Sequence, residues 1–247
     1  MGKVARRIQS VPVTLDLGGS DVRVGRYGDT ISSTSFYEAL GLADEGSVWL
    51  GTNPTSESGI SASVATAYSA TASGFVSLQN RDSGSDSGVA KCIYPVYLKF
   101  RTVTAPASAT RWLGVIDVDN VLSRYTSGGT AITPSNVNMN VSNTGSVATL
   151  NVGALTTVAL SSGGRTFARP EFRPVIPVAG DTYIVSFGCP SGSVGNDALN
   201  GTNPVNAQYP CAPLVIGPGH TMVLSVFGAS NAITGWAAEF EICWVER

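Results

Sequence analysis

The stretch "GWAAEFEICWVER", residues 235–247, decides the fold class. Trp236, Ala238, Phe240, Ile242 and Trp244 share one parity, and Glu239, Glu241 and Cys243 share the other. A period of two with one apolar side is the pattern of a strand half-buried in a sheet. Two inward tryptophans place this strand in a sheet interior and tie the chain end down.

The same period recurs upstream. "KCIYPVYLKFRTV", residues 91–103, predicts a strand with Tyr94, Val96, Leu98 and Phe100 inward and Tyr97, Lys99 and Arg101 outward. Pro95 within it points to an edge strand or a bulge. "GISASVATAYSATASGFVSLQN", residues 59–80, sets Ile60, Ala62, Val64, Thr66 and Tyr68 on one face of a strand, and "NRDSGSDSG" ends it as an exposed loop. "RWLGVIDVDN" is a further strand. Beyond the expected turn "TSGGTAITPSN", the runs "VNMNV", "SVATLNVG" and "LTTVAL" keep a spacing of roughly 8–12 residues, the rhythm of a sandwich or barrel.

Residues 1–47 differ. They lack a sustained period and read as an extended arm with one short helical turn at "SFYEALGLAD", where Ser35 and Glu38 form a capping-box spacing and Gly41 ends the turn. The expected organisation is therefore an arm over residues 1–47 and one all-β domain over residues 48–247. A chain of 247 residues suits a single large β domain.

Two segments resemble each other. "VIPVAGDTYIVSFG" (175–188) and "VIGPGHTMVLSVFG" (215–228) each have Val-Ile, a Pro and Gly turn, a polar residue, Thr, and a strand closed by Phe-Gly. His220, the one histidine of the sequence, stands where Asp181 stands in the other copy. The shared expectation is a turn residue bonded to the turn backbone.

Composition narrows the partners. Charged residues are 13% of the sequence, against roughly 25% in an average globular chain. So few charges suit a surface covered by other protein. A net charge of −2 argues against nucleic acid, whose phosphates need clustered cations. The one basic cluster is "KVARR", residues 3–7, read as a solvated terminus. Gln9, Ser10, Pro12 and Asp16 interrupt any secretory apolar run, and Arg6 occupies the position where myristoylation needs Ser or Thr. No stretch is apolar for long enough to span a bilayer, so no membrane partner is expected.

Chemistry-bearing patterns are sparse. Cys92, Cys189, Cys211 and Cys243 are dispersed without a C-x-x-C pair, so free thiols are expected, with a Cys189–Cys211 bridge as the alternative. No metal and no cofactor is expected. A hydrolytic triad would have to use His220, and no G-x-S-x-G elbow accompanies it. Asp117 with Asp119, and Glu239 with Glu241, read as outward-facing carboxylate rows rather than catalytic pairs. Asn196, Asp197, Asn200 and Asn203 read as a polar loop. The chain is expected not to be an enzyme.

The segments "KCIYPVYLKFRTVTAPASATRWLGVIDVDN", "RYTSGGTAITPSNVNMN", "PLVIGPGHTMVL" and "FEICWVER" resemble the β-rich virion structural proteins of tailed bacteriophages, of the capsid cement or decoration type. The resemblance spans roughly residues 90–247 and rests on turns and strands, with no family binding residue to carry over. It implies a jelly-roll-like antiparallel β-sandwich, partners in the major capsid protein and in itself as a homotrimer, and a place on the capsid surface after assembly in the host cytoplasm. Candidate contact groups are Arg6, Arg7, Arg23, Arg26 and Tyr27 on the arm and the outward row Tyr97, Lys99 and Arg101. The alternative is a carbohydrate-binding sandwich of a host-recognition protein, with Trp49 or Trp112 stacking on a glycan.

Overall fold

The computed structural model of this chain describes residues 35–63, 65–83, 90–108, 111–173, 176–188 and 205–247. It divides into two units, residues 1–45 and residues 46–247. Arg6, Arg7, Arg23, Arg26 and Tyr27 lie outside the described residues. In the first unit a helix, α1 (Ser35–Asp44), is longer than the single turn expected. Gly41 does not end it: the Glu45 N–H bonds the Gly41 carbonyl at 2.9 Å, and the left-handed residue that follows is Gly46, φ +76°.

The second unit is an all-β sandwich of two seven-stranded sheets. The first sheet holds β1 (Val48–Thr52), β2 (Ile60–Ser61), β4 (Ile93–Thr104), β7 (Ser135–Asn136), β11 (Thr182–Phe187), β12 (Val205–Cys211) and β14 (Ala237–Glu246). The second holds β3 (Gly74–Asn80), β5 (Trp112–Asp119), β6 (Tyr125–Ile132), β8 (Ala148–Thr157), β9 (Arg165–Ala168), β10 (Glu171–Arg173) and β13 (Thr221–Gly228). Pairing is nested from the outside in: β1 with β14, β3 with β13, β4 with β11, and β5 with β10, all antiparallel. Each sheet is then closed across its middle, by β14 on β4 and by β13 on β5. The β6–β8 pair is added beyond β3, and β12 lies parallel to β11.

The strand read from residues 235–247 takes its expected place. β14 runs between β4 and β1, with Trp236, Ala238, Phe240, Ile242 and Trp244 at 4% exposure or less. The core between the sheets is built around aromatic rings. Trp112 lies 4.4 Å from Phe172, 4.5 Å from Tyr183 and 4.7 Å from Trp236, centroid to centroid. Phe75 and Phe100 extend the cluster. Offset and tilted contacts at these separations are the favourable arrangement for π-systems.

Several sequence expectations are corrected by register. Leu98 and Phe100 face the core, but Tyr94 and Val96 face out, at 38% and 39% exposure. Tyr97 pairs with Cys243 and Pro95 with Trp244, so Val96 is an extra residue in β4. That bulge reverses the parity of everything before it and turns Ile93 and Pro95 inward. Pro95 therefore marks a bulge, and β4 is an interior strand rather than an edge.

The run 59–80 is not one strand. Only Ile60 and Ser61 pair, with β14, before the chain leaves the first sheet and enters the second at Gly74. "TSGGTAI" is not a turn but part of β6, where Gly128 and Gly129, at φ +90° and +70°, sit at a register shift. "SVATLNVG" and "LTTVAL" merge into the single strand β8.

The second sheet is buried on both faces at its centre. Every position of β3 and of β13 is buried. Its outer face is covered by residues 65–73 and by the turn Leu122–Arg124: the Tyr68 ring packs on Phe227 at 6.2 Å, and Arg124 Nη1 donates to the Ala70 carbonyl at 2.7 Å. This double burial is why "TMVLSVFG" reads as a nearly continuous apolar run.

Candidate functional site

His220 and Asp181 occupy matching turns, as their sequence parallel implies. The His220 N–H bonds the Gly217 carbonyl at 3.0 Å, and the Asp181 N–H bonds the Val178 carbonyl at 3.1 Å. The residue before each is a glycine at positive φ, Gly219 at +77° and Gly180 at +94°, as the third position of such a turn requires. Thr221 and Thr182 then open β13 and β11. Each polar side chain turns back on its own turn: Asp181 Oδ2 accepts from the Val178 N–H at 2.8 Å, and His220 Nδ1 donates to the Pro218 carbonyl at 2.8 Å. A carbonyl only accepts, so Nδ1 carries the proton and neutral His220 presents Nε2 as an acceptor.

The turn does more than launch a strand. Beside it lies a cavity of about 310 Å³ whose wall includes Asp119, Asn120, Arg165, Leu214, His220 and Thr221. Asp119 is 2% exposed; Ser161 holds it from below through its N–H at 2.8 Å and its hydroxyl. Gly163 and Gly164 let that loop close on the pair. A Cβ on Gly163 would lie 2.4 Å from Asn120 Nδ2, and one on Gly164 would lie 2.8 Å from Asp119 Oδ2. Arg165, on β9, is exposed and has no hydrogen-bond or ion-pair partner among the described residues. This is not a hydrolytic triad. Ser161 bonds the carboxylate and His220 bonds a backbone carbonyl, whereas a triad needs the imidazole between hydroxyl and carboxylate.

The carboxylates of "DVDN" lie on the outer face of the second sheet as expected, but that face is covered and they form no exposed row. Asp117 and Asp119 are 1% and 2% exposed. Asp117 Oδ2 receives Arg124 Nη2 at 3.0 Å and the Tyr68 hydroxyl at 2.6 Å, while Oδ1 receives the Thr166 hydroxyl at 3.0 Å. Both charged side chains of this pair are fully buried. Arg124 also donates through Nη1 to the carbonyls of Ala70 and Val158, and so clamps three segments onto the outer face of the second sheet. Tyr68 pays for its place in the cluster with a phenol pushed up to about 12, first by burial and then by its hydrogen bond to Asp117.

Tyr97, Lys99 and Arg101 do face outward on the first sheet, but the structure pairs them with the second carboxylate row. Lys99 Nζ lies 3.2 Å from Glu241 Oε1, and the Tyr97 hydroxyl donates to the same oxygen at 3.0 Å. Arg101 Nε donates to Glu239 Oε2 at 3.1 Å and its Nη2 to Glu57 Oε2 at 2.7 Å. The Arg101 guanidinium beside Glu239 holds that carboxyl below the usual range. The two rows are one cross-strand ladder, with Arg101 opposite Glu239 and Lys99 opposite Glu241.

Among the described residues no group of three or more His, Cys, Asp or Glu is placed to hold a metal ion. Cys92, Cys211 and Cys243 are free thiols, and Cys189 lies outside the described residues, as do Asn196, Asp197 and Asn200. Burial pushes the Cys243 thiol up to about 11, with Glu241 adding to the effect. Trp49 and Trp112 are core residues, at 2% and 0% exposure, so neither can stack on a glycan. The sequence assigns no role to Arg124 and Arg165, and it places Tyr68 in a strand, which the structure does not form there. The available signal was an acidic residue inside an apolar strand, Asp117 in "GVIDV", which needs a buried partner. Comparison with known proteins supplies no relative: no family model matches the chain, and no curated protein matches it.

Proposed function

We propose that this chain is a non-enzymatic structural subunit of a virion, a capsid cement protein that bridges neighbouring major capsid subunits on the capsid surface as a homotrimer. The observation that carries the reading is the nested strand pairing. Taking β1, β3, β4, β5, β10, β11, β13 and β14 as eight strands, first pairs with last, second with seventh, third with sixth and fourth with fifth. This nesting supports a jelly-roll reading of the sandwich, a fold used by viral capsid and lectin domains. The β6–β8 pair and β12 are additions to it.

Fold alone does not fix function. The surface supports the structural choice among jelly-roll roles. Charges are few, and on the first sheet Lys99, Arg101, Glu239 and Glu241 are matched within the chain. A face so neutralised is cheap to bury in a permanent contact, because each ion pair enters the interface already compensated. Tyr97, Lys99 and Arg101 then act as part of a flat, paired surface rather than as free cations.

The test is the position and effect of the chain in an assembled particle. Cryo-electron microscopy of virions should place it over seams between major capsid subunits in three-fold clusters. Particles stripped of it should lose resistance to heat and internal pressure. Absence from the particle, or full resistance after stripping, refutes the cementing role.

A further inference from the structure

The cavity beside the Gly217–His220 turn is a built site that a purely mechanical subunit does not need. Its wall includes the apolar residues Val118, Leu214 and Ile216, the last two at 7% and 2% exposure, and its polar groups are of three kinds. His220 Nε2, left without a partner when Nδ1 binds Pro218, is an acceptor, whereas Asp119 is 2% exposed with both carboxylate oxygens engaged by Ser161 and is a fixed negative charge behind the wall. The exposed Asn120 side chain supplies an amide donor. Arg165 is a cation that forms no ion pair with Asp119 or any other described carboxylate.

An acceptor, an amide donor and apolar side chains in one wall together suit the hydroxyls and C–H groups of a sugar ring. An unmatched guanidinium at the same wall selects a carboxylate, which it can grip with two parallel hydrogen bonds. An amine ligand is disfavoured, because Asp119 is already served by two donors and Arg165 would repel it. The volume of about 310 Å³ falls at the lower end of small-ligand sites, roughly 300–1,000 Å³, which fits one or two rings. We propose that this cavity binds a carboxylate-bearing sugar, a hexuronate residue, with the carboxylate on Arg165 and ring hydroxyls on Asn120 and His220.

The experiment is a titration of the full-length, isotope-labelled chain with glucuronate, followed by amide chemical shifts, with glucose and acetate as controls. Glucuronate should give saturable shifts centred on residues 118–120, 161–165 and 214–221. Glucose and acetate should each bind at least about tenfold more weakly, one lacking the carboxylate and the other the ring. Arg165→Gln, a change at an exposed side chain, should lose about tenfold in affinity, the size of one charge-assisted contact. Arg111→Gln should lose nothing, since Arg111 is already engaged by Glu171 at 3.0 and 2.6 Å, outside the cavity. No saturable shift, equal binding of glucuronate and acetate, equal binding of glucuronate and glucose, or an Arg165→Gln variant that binds like the parent would each overturn the proposal. The outcome is independent of whether the chain sits on a capsid.

Discussion

Arg124→Met tests whether the cover of the second sheet is held by its buried ion pair. Removing one member of a buried pair costs about 3–5 kcal/mol, because the remaining charge stays desolvated. The loss here should fall at about 3 kcal/mol, the lower end, because Asp117 keeps the hydroxyls of Tyr68 at 2.6 Å and Thr166 at 3.0 Å. The Ala70 carbonyl likewise keeps the Thr157 hydroxyl at 2.7 Å, while that of Val158 loses its side-chain donor. For a chain of this size such a loss corresponds to a fall in Tm of roughly 6–12 °C. Urea unfolding of the parent, Arg124→Met, Asp117→Leu and the double variant separates the pair from its surroundings. With both charges gone no uncompensated ion remains, so the double variant should be more stable than the sum of the single losses implies, by at least about 1 kcal/mol. Additivity within about 0.5 kcal/mol, or a single-variant loss below about 1 kcal/mol, would show that the pair is not what holds the cover.

Two further outcomes follow from the same geometry. Tyr68 is raised from 10.0 to about 12 and Cys243 from 9.0 to about 11, so the folded state keeps protons that the unfolded chain releases. Their contribution is fully present below the unfolded values and is lost as pH rises, through about 9–11 for Cys243 and about 10–12 for Tyr68. The urea midpoint should therefore fall above pH 9, less steeply in Tyr68→Phe; a midpoint unchanged to pH 11 contradicts the assignment. His220→Asp should move the unfolding free energy by less than about 1 kcal/mol, since Asp181 fills the matching turn. Gly219→Ala should cost more, about 1 kcal/mol or above, because φ is +77° there. A reversed order of these two in thermal melts would show that the imidazole matters more to the fold than the turn does.

What could be read from sequence was whatever depends on local parity. The alternation in residues 235–247 fixes both the strand and its buried face, and the Asp181/His220 parallel survives in the hydrogen bonds of both turns. Parity fails where the partner strand decides. Nothing local to Val96 says that Tyr97 and Pro95 will meet consecutive residues of β14, yet that slip puts Tyr94 outside. Gly128 and Gly129 carry turn chemistry and are used as a bulge inside β6 because β8 is there to pair. Asp117 and Asp119 look outward in an alternating strand, and they are; a second layer of chain then buries them, and that layer is supplied by residues far away in sequence. The cavity was hidden for the same reason. Asn120, Arg165 and His220 come from three separate segments, and only His220 carried a local signal.

The nested pairing also sets an order of events for synthesis. β1 forms its ladder with β14, at the far end of the described chain, and β4 needs β14 as well. Loop closures of that length are paid before any contact rewards them, which makes folding slow. Until residues 237–246 leave the ribosome, β1 and β4 lack the strand that joins them, so an interrupted chain has a gap at the middle of the first sheet beside Trp49, Leu98 and Phe100. Completion of the first sheet therefore waits on β14: only a molecule carrying that strand can join β1 to β4 and hide its core.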